Sequence, residues 1–350
     1  MAGELGPARA IKAVQTTATL TSRAARLLKM NIPAVCLLHH RRHAKAPGGH
    51  PAAAYAWHDL PMPDMSFGVY INPRSTDHGR DLLLRMEDTE FDTAWVGDTM
   101  GDWRDRSAPM LDTWVTLGAM ANETEEIELG MLVTNLAWRD PVHVARFAMT
   151  IDQLSDGRFV LGLGCGQLED QLMAGKGAFD MTSEERLDRL EEGVQVIDRL
   201  LRQDVSDFQG TYSEYSSASM APGCIQEPRL PIVVAGNSKR TMRIAVSHAD
   251  TWNTWIDNGD ADEFQAQTIQ RIAQLDEYLA DAGRASESLT RSLLVFDDVM
   301  DPWASNDAIP KLVDKFQPLG FTEFIFYPPS PDQMRDFLRI GVGVLSQLRD

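Results

Sequence analysis

The sequence predicts one (β/α)8 TIM barrel, an insertion between its fourth and fifth strands, and a non-globular leader in front of it. After Met65, short runs rich in β-branched residues alternate with helical stretches, which is the pattern of a parallel sheet covered by helices. Eight such units follow one another, and this fits a closed barrel better than an open doubly wound sheet. The 350 residues are 43% hydrophobic, so the chain can bury a large core.

Residues 1–64 form the predicted leader, which is basic and rich in Ala, Arg, Thr and Pro. They carry eight Lys and Arg against three Asp and Glu, whereas residues 65–350 carry 25 against 48. We interpret the leader as disordered and as the product of an upstream-extended start; a transit peptide is the alternative. The folded domain is expected to span residues 65–350.

The charge of this domain argues against whole classes of partner. Nucleic acids and anionic membranes are bound by clustered cations, whereas residues 65–350 have a large excess of acid. The longest apolar run of the leader, Ile32–Leu38, is far shorter than the roughly 20 residues of a membrane span. Cys36, Cys165 and Cys224 form no CxxC pair, so neither a disulfide framework nor a zinc site is indicated. We expect a cytoplasmic protein that acts on a small molecule.

Each predicted strand is a short β-branched or aromatic run. In chain order the eight are Phe67–Ile71, Thr93–Val96, Ile127–Val133, Phe159–Leu163, Pro231–Ala235, Thr251–Asn253, Leu293–Asp297 and Glu323–Tyr327. The sixth has weak β-propensity and is placed by its position after an Ala-rich helix that ends near Ala249. The closing segment, Gln333–Leu348, has apolar residues at helical spacing and is expected to pack outside the first and last strands.

The insertion runs from Gln167 to Leu230 and contains one clear helix, Ser183–Arg202, with a capping box of Thr182 and Glu185 at its start. The acidic residues of this helix lie opposite its apolar stripe and are interpreted as solvated; they are Glu184, Glu185, Asp188, Glu191 and Glu192. The segment Asp204–Arg229 is predicted to be irregular. Because excursions at the C-terminal end of barrel strands usually shape the active site, we interpret it as a substrate lid.

Two loops indicate a ligand. After the fourth strand, Gly164, Cys165 and Gly166 would let the backbone approach a flat ligand or a phosphate, although a ligand-free tight turn is the alternative. After the fifth strand, Gly236, Asn237 and Ser238 lead into a helix whose first turn holds two cations, Lys239 and Arg240. Cations are unfavourable at a helix N-terminus unless an anion binds there. A phosphate cradle and an ordinary capped helix with solvated cations both explain this pattern.

Polar and aromatic residues also stand just past the other strands, as expected of a site for a planar heterocycle at the barrel end. They are Asn72, Asp98 with Thr99, Asn135 with Trp138, Asn253 with Trp255, Asp297 with Asp298, and Tyr327. The sequence contains no HExxH, Walker loop, GxSxG elbow or paired-cysteine redox motif. Metal hydrolases and serine hydrolases are disfavoured for that reason.

Several runs together resemble the bacterial luciferase-like superfamily, which includes FMN-dependent monooxygenases and oxidoreductases that use the deazaflavin coenzyme F420. They are Phe91–Asp98, Ile127–Thr134, Asp140–Arg146, Ile151–Gly166, Gly210–Tyr212, Pro231–Ser238 and Ala249–Asn253. The most specific is Leu-Ser-x-Gly-Arg-Phe-x-Leu-Gly-x-Gly-x-Gly, which starts at Leu154.

The resemblance implies a barrel, often dimeric, that holds the cofactor ring at the C-terminal end of its strands and the cofactor phosphate beside the loop after the fifth strand. The cofactor-binding residues implied in this way are Asn72, Thr134, Asn135, Gly164, Cys165, Gly166, Gly236, Asn237 and Ser238. Asp98 and Thr99 are the candidate catalytic residues. Many members have His where Thr99 stands, and a threonine hydroxyl does not titrate near neutral pH, so a His-dependent mechanism does not carry over.

We therefore expect an oxidoreductase of the luciferase-like monooxygenase type, which uses reduced FMN and oxygen on a small organic substrate. A flavin reductase would supply the reduced cofactor, and a homodimer is expected from the resemblance. Hydride transfer with deazaflavin F420 is the first alternative, and a non-catalytic flavin-binding barrel is the second, because of Thr99. A Rossmann dehydrogenase is disfavoured because Gln167 stands where its fingerprint needs glycine.

Overall fold

The structure is a computed structural model, and it describes residues 65–71, 76–102, 105, 107–166, 181–256 and 261–349. Its strands are β1 (Ser66–Tyr70), β2 (Thr93–Val96), β3 (Glu128–Asn135), β4 (Phe159–Gly164), β5 (Val205–Gln209), β6 (Glu214–Ser219), β7 (Ile232–Ala235), β8 (Thr251–Ile256), β9 (Thr290–Val295) and β10 (Phe321–Phe326). All except β5 and β6 pair in parallel and close into a barrel in the order β1-β10-β9-β8-β7-β4-β3-β2. The predicted barrel, with an insertion between its fourth and fifth strands, is confirmed. The predicted leader lies outside the described residues.

Helices follow the barrel strands and cover them from outside. They are α1 (Thr76–Met86), α2 (Thr113–Glu123), α3 (Pro141–Leu154), α4 (Ser183–Arg202), α5 (Lys239–His248), α6 (Ala261–Asp281), α7 (Ala308–Phe316), α8 (Met334–Gly343) and α9 (Leu345–Arg349). The predicted closing helix is therefore two helices. Arg349 of α9 lies over the Phe67 ring of β1 and pairs with Asp92, so the segment packs beside the first strand as expected. Among the described residues, the helices are all too short or too polar to cross a bilayer.

Two barrel strands differ most from their predicted bounds. The sixth, β8, continues beyond Asn253 to Ile256, because Trp255 also packs inside the barrel. The seventh, β9, begins at Thr290 and so includes Arg291 and Ser292, which are both buried. These polar residues obscured the start of the strand in the hydrophobic pattern.

The barrel interior is filled at mid-height by large apolar side chains. The fully buried ones are Trp95, Leu132, Val160, Val233, Leu294 and Ile325, each from a different strand. The Trp95 indole fits because its neighbouring strands carry glycine: a Cβ on Gly68 would lie 2.6 Å from the indole Nε1, and one on Gly130 would lie 2.2 Å from Cε3. Real Cβ atoms do not approach that closely, so both positions require glycine.

Below this layer lies a polar layer, which we call the floor: Thr93, Glu128, Asn253, Ser292 and Glu323. The Thr93 hydroxyl donates to Glu128 at 3.1 Å, and the Asn253 amide donates to the Ser292 hydroxyl at 2.9 Å. Burial, reinforced by the charge of Asp92, raises the pKa of Glu128 to about 7. Burial likewise raises the pKa of Glu323 to about 7, against a hydrogen bond with Ser292. The floor is thus a set of internally bonded polar groups, all buried except the partly exposed Glu128.

The insertion confirms one prediction and corrects two. Helix α4 spans Ser183–Arg202, with the predicted capping box at its start. The segment predicted to be irregular, Asp204–Arg229, contains the antiparallel hairpin of β5 and β6. The turn of this hairpin lies on α4, where the Glu192 carboxylate accepts the amides of Thr211, Tyr212 and Ser213 at 2.6–2.8 Å. Glu192 is therefore a cap for the hairpin turn and is not simply solvated.

The same segment does not cover the C-terminal end of the barrel. Gln226 donates its side-chain amide to the carbonyl of Phe159, the first residue of β4, at 2.8 Å and to Asp152 at 2.7 Å. Helix α4 has carried the chain back to the N-terminal end of the strands, so the prediction of a lid at Asp204–Arg229 is wrong. The remainder of the insertion, residues 167–180, lies outside the described residues.

Candidate active site at the barrel mouth

The C-terminal ends of the barrel strands, here called the mouth, are lined by an open apolar layer. On four adjacent strands, β8, β9, β10 and β1, this layer is aromatic: Trp255, Phe296, Tyr327 and Tyr70. Tyr327 packs against both neighbours, with ring centroids 4.8 Å from Phe296 and 5.2 Å from Tyr70. All four side chains are half-buried, so part of each remains accessible to solvent. We call this side the aromatic half.

The other four strands, β2, β3, β4 and β7, carry small residues at the same end: Gly97, Val133, Gly164 and Ala235. Close packing explains the glycines. A Cβ on Gly97 would lie 1.8 Å from the Tyr70 hydroxyl, and one on Gly164 would lie 2.5 Å from the Val133 side chain. Val133 reaches the interior because the pairing of β3 with β4 shifts register between Met131 and Thr134. We call this side the small half, because its side chains are smaller than those of the aromatic half.

Four of the predicted cofactor residues come together at the edge of the small half. The Asn135 side chain accepts the Ala137 amide at 2.9 Å and lies against the turn after β4. Gly166 has a φ of +71°, and a Cβ there would lie 2.0 Å from the Asn135 amide nitrogen. Gly164 and the half-buried Cys165 precede it. The glycine-rich turn is therefore already required by packing inside the protein, independently of any ligand.

The loop after β7 caps α5 as predicted. Ser238 accepts the Thr241 amide at 3.1 Å and donates its own amide to the Thr241 hydroxyl at 3.1 Å. This capping box leaves the amides of Lys239 and Arg240 as the first-turn donors without an intrahelical acceptor. The Asn237 side chain accepts from the Thr254 hydroxyl at 2.5 Å, which ties the loop to β8.

The two cations of this first turn differ. Arg240 pairs with Glu191 and Asp188 of α4, each at 2.6 Å, and these hydrogen bonds raise the pKa of its guanidinium. The prediction that Asp188 and Glu191 are simply solvated is therefore wrong. Lys239 is exposed. An anion is thus not needed to balance Arg240, while Lys239 and two backbone amides remain available to one.

Asp98 lies in an ion pair that the sequence did not reveal. Both of its oxygens accept from Arg139, from Nη2 at 2.7 Å and from Nε at 3.0 Å, and one also accepts from the Thr134 hydroxyl at 2.5 Å. Arg139 also reaches Asp112 at 3.1 Å, and its hydrogen bond to Asp98 raises its pKa. Thr134, predicted to bind the cofactor, instead has its hydroxyl bonded to Asp98. The catalytic role assigned to Asp98 stays a prediction, but both of its oxygens already accept hydrogen bonds within the protein.

The remaining predicted residues are spread over the mouth and beyond it. Thr99 is half-buried directly after Asp98. Asn253 does not stand past its strand: it lies in the floor and is 1% exposed, because β8 is longer than predicted. Asp297 and Asp298 follow β9 and are exposed. Asn72 lies outside the described residues. Arg139 was missed because its partner Asp98 is 41 residues away in the chain, and local patterns do not show such pairs.

Comparisons with known proteins agree on one family. A family model described as luciferase-like monooxygenase matches residues 64–297. An F420-dependent glucose-6-phosphate dehydrogenase from Intrasporangium calvum is 28% identical over 217 residues, which span 61% of this chain and 63% of that protein. The chain thus spans less than two thirds of that relative.

Solved structures share the fold at low identity. An F420-dependent secondary alcohol dehydrogenase, in complex with an F420-acetone adduct, superposes with a TM-score of 0.69 at 18% identity, over 82% of this chain and 99% of that one. The monooxygenase RslO1 from Streptomyces bottropensis superposes with a TM-score of 0.66 at 16% identity, over 82% of this chain and 100% of that one. Identities this low support a shared fold and nothing finer.

Proposed function

Because the chain belongs to the luciferase-like monooxygenase family, we propose that it is an oxidoreductase whose flavin or deazaflavin cofactor binds in the small half of the mouth. The observation that carries the proposal is the division of the mouth. Four adjacent strands present partly exposed aromatic rings, and the four opposite present glycine, alanine or valine. A planar ring needs a flat apolar slot with open space on one side, and small residues opposite aromatic ones are the side chains that such a slot requires.

The residues present fit such a cofactor. Val133 and Ala235 would contact the ring, and the turn Gly164–Gly166 lets the backbone come close to it. The cofactor phosphate would accept the amides of Lys239 and Arg240, with the Lys239 ammonium beside it. Cys165 and Asn237 would lie along the chain that joins ring and phosphate. When bound, the cofactor would exchange two electrons with the substrate or with oxygen.

The side chains of this protein bind and orient. The aromatic half would pack on the substrate and exclude water from its reacting face. The Thr99 hydroxyl can donate or accept a hydrogen bond at the mouth but does not titrate near neutral pH. Asp98 is held by Arg139 and Thr134, so we assign it a positioning role in place of the predicted acid or base role.

Between the two cofactors, we rank deazaflavin F420 above FMN, which reverses the order expected from the sequence. The relative from Intrasporangium calvum and one of the similar structures are named as F420-dependent proteins. Because Thr99 stands at the position where many members of the family have His, a His-dependent mechanism does not carry over to this chain with either cofactor. The FMN monooxygenase is the second candidate, supported by the family description and by the fold shared with RslO1.

A titration tests the proposal. The purified chain is titrated with FMN, reduced FMN and F420, and binding is followed by cofactor fluorescence and by the melting temperature. We expect saturable binding of one cofactor and a higher melting temperature; no response to any of the three would overturn the proposal. Single-turnover reoxidation of the bound reduced cofactor by oxygen would identify the FMN candidate, and hydride exchange with a substrate in the absence of oxygen would identify the deazaflavin candidate. A cofactor that is bound but exchanges electrons with neither oxygen nor any substrate tried would identify a non-catalytic barrel.

The homodimer, the reductase partner and the cytoplasmic location stay predictions. For the dimer we propose the joint outer face of α2 and α3, where Val115 is 74% exposed and Phe147 is 39% exposed. The described outer surface of α2 carries no charge before Glu123, although the domain as a whole is strongly acidic. Two copies could therefore meet there without bringing like charges together. Sedimentation of the wild type and Val115→Asp would test this surface.

A further inference from the structure

We propose that Arg139 is a positioning residue that fixes the segment Gly97–Thr99 at the wall of the cofactor site. The inference rests on the proposed function, because it concerns the small half of the mouth. Asp98 follows Gly97, whose backbone forms part of that half. Anything that holds Asp98 therefore also holds the wall against which the ring would lie.

The guanidinium bridges both ends of one loop. The chain leaves β2 at Asp98 and returns at Asp112, which is the N-cap of α2 and accepts the Val115 amide at 3.1 Å. Arg139, from the loop after β3, contacts Asp98 at 2.7 and 3.0 Å and Asp112 at 3.1 Å. Burial acts in the opposite direction, but the bonds from Val115 and Arg139 hold the pKa of Asp112 below its ordinary value. Asp112 is therefore a charged partner of Arg139 near neutral pH.

Two hydrogen bonds from threonine hydroxyls also hold this segment. The Thr113 hydroxyl donates to the Gly97 carbonyl at 2.7 Å, and the Thr134 hydroxyl donates to Asp98 at 2.5 Å. Thr134 belongs to β3, so the end of β2, the start of α2 and the end of β3 are joined at one point. The position of Gly97 is thus set by these hydrogen bonds together with the close approach of Tyr70.

Stability alone does not account for this arrangement. Asp98 is 3% exposed, and removing a carboxylate from water costs most of what the ion pair returns. The contact of Arg139 with Asp112 is partly exposed, with side chains 26% and 46% accessible, so it adds little to the free energy of unfolding. The planar guanidinium of Arg139, with its two hydrogen bonds to Asp98, does fix the relative position of the two side chains.

The test compares Arg139→Gln with Arg229→Gln. Arg229 also joins two aspartates, Asp198 and Asp250, at 2.5 Å each, but it lies at the N-terminal end of the barrel, away from the mouth. Affinity is measured for F420 and FMN well below the melting temperature of each variant. We expect Arg139→Gln to weaken binding of the cofactor about tenfold or more, and Arg229→Gln to lower the melting temperature without changing affinity.

Two further variants sharpen the result. Arg139→Lys should restore only part of the affinity, because lysine cannot form the two-bond fork, and Asp112→Asn should weaken binding by about twofold. Hydrogen exchange of the segment Gly97–Thr99 gives a readout that needs no cofactor, and it should be faster in Arg139→Gln than in Arg229→Gln. If exchange there is unchanged, or if affinity in Arg139→Gln stays within twofold of wild type, the inference is overturned. A wild type that binds neither cofactor overturns the proposed function itself.

Discussion

The two ends of this barrel differ in the side chains that they bury and expose. At the floor, polar side chains are bonded in pairs, Thr93 to Glu128 and Asn253 to Ser292, and most of them are buried. At the mouth, apolar side chains such as Phe296 and Tyr327 stay half-exposed. Burying polar groups and exposing apolar ones are both costly, but the first cost is offset by internal hydrogen bonds. The exposure of apolar side chains at the mouth is offset when a ligand binds there. We therefore assign stability to the floor and binding to the mouth.

This difference predicts two separate phenotypes. Substitutions at the mouth should change ligand affinity and leave the free energy of unfolding nearly unchanged. Substitutions at the floor should do the reverse.

The largest effect is expected from filling the small half. Ala235 is half-buried and faces the interior, so Ala235→Phe would occupy the proposed place of the ring. We expect affinity for the bound cofactor to fall at least roughly a hundredfold, with a small change in melting temperature. Ala235→Ser, which keeps the volume nearly the same, is the matched control. Wild-type affinity in Ala235→Phe would show that the ring lies elsewhere.

A smaller effect is expected from the aromatic half. Trp255→Ala removes a large face that would pack on the substrate, and we expect KM to rise by about tenfold while the Kd of the cofactor changes by less than about threefold. Trp255→Phe should keep most of the affinity. Steady-state kinetics with the first substrate found, together with cofactor titration, would check this. An equal loss of substrate and cofactor binding would remove the distinction between the two halves.

At the floor the prediction concerns pH. The folded pKa of Glu323, about 7, lies above its ordinary value of 4.5, so its stabilising contribution is complete below pH 4.5 and is lost as the pH rises to about 7. Glu323→Gln cannot lose a proton. The melting temperature of this variant, relative to wild type, should therefore increase by roughly several degrees between pH 5 and 7.5.

The exposed Glu263→Gln serves as the control and should show no such trend. Besides burial, the charge of Asp92 raises the pKa of both Glu323 and Glu128, and the pKa of Glu128 is also about 7, so the comparison is between variants at each pH. A difference between Glu323→Gln and wild type that does not change with pH would contradict the assigned protonation. A change in cofactor affinity would contradict the separation of floor and mouth.

The smallest effect is expected at Lys239, which is exposed at the start of α5. Lys239→Gln should weaken cofactor binding by about two- to threefold at low salt, and the difference should shrink as salt screens the charge. Lys311→Gln, at an exposed lysine of α7, is the matched control. Fluorescence titrations at two ionic strengths would measure both. A salt-independent difference would mean that Lys239 does not face the phosphate.

The sequence predicts the barrel well because parallel strands buried on both faces leave strong apolar runs, such as that of β4. It fails where that signal is absent. The hairpin of β5 and β6 lies on the surface and is mostly exposed, so it shows no buried stripe. The start of β9 does not stand out as an apolar run, because it includes the buried polar residues Arg291 and Ser292.

For the site, local patterns identify the capped α5 and the glycine turn after β4, because both depend on adjacent residues. The role of Asp98 depends on Arg139, and the division of the mouth depends on which strands are neighbours around the barrel. Neither is a property of one segment. The closure that pairs β1 with β10 is what brings Tyr70 to Tyr327.

The most direct test is a structure of the chain with the cofactor that it binds. Our account expects the ring to contact Val133 and Ala235, to face the aromatic half across an open gap, and to place its phosphate on the amides of Lys239 and Arg240. A ring bound outside the mouth, or a phosphate directed away from the start of α5, would contradict it.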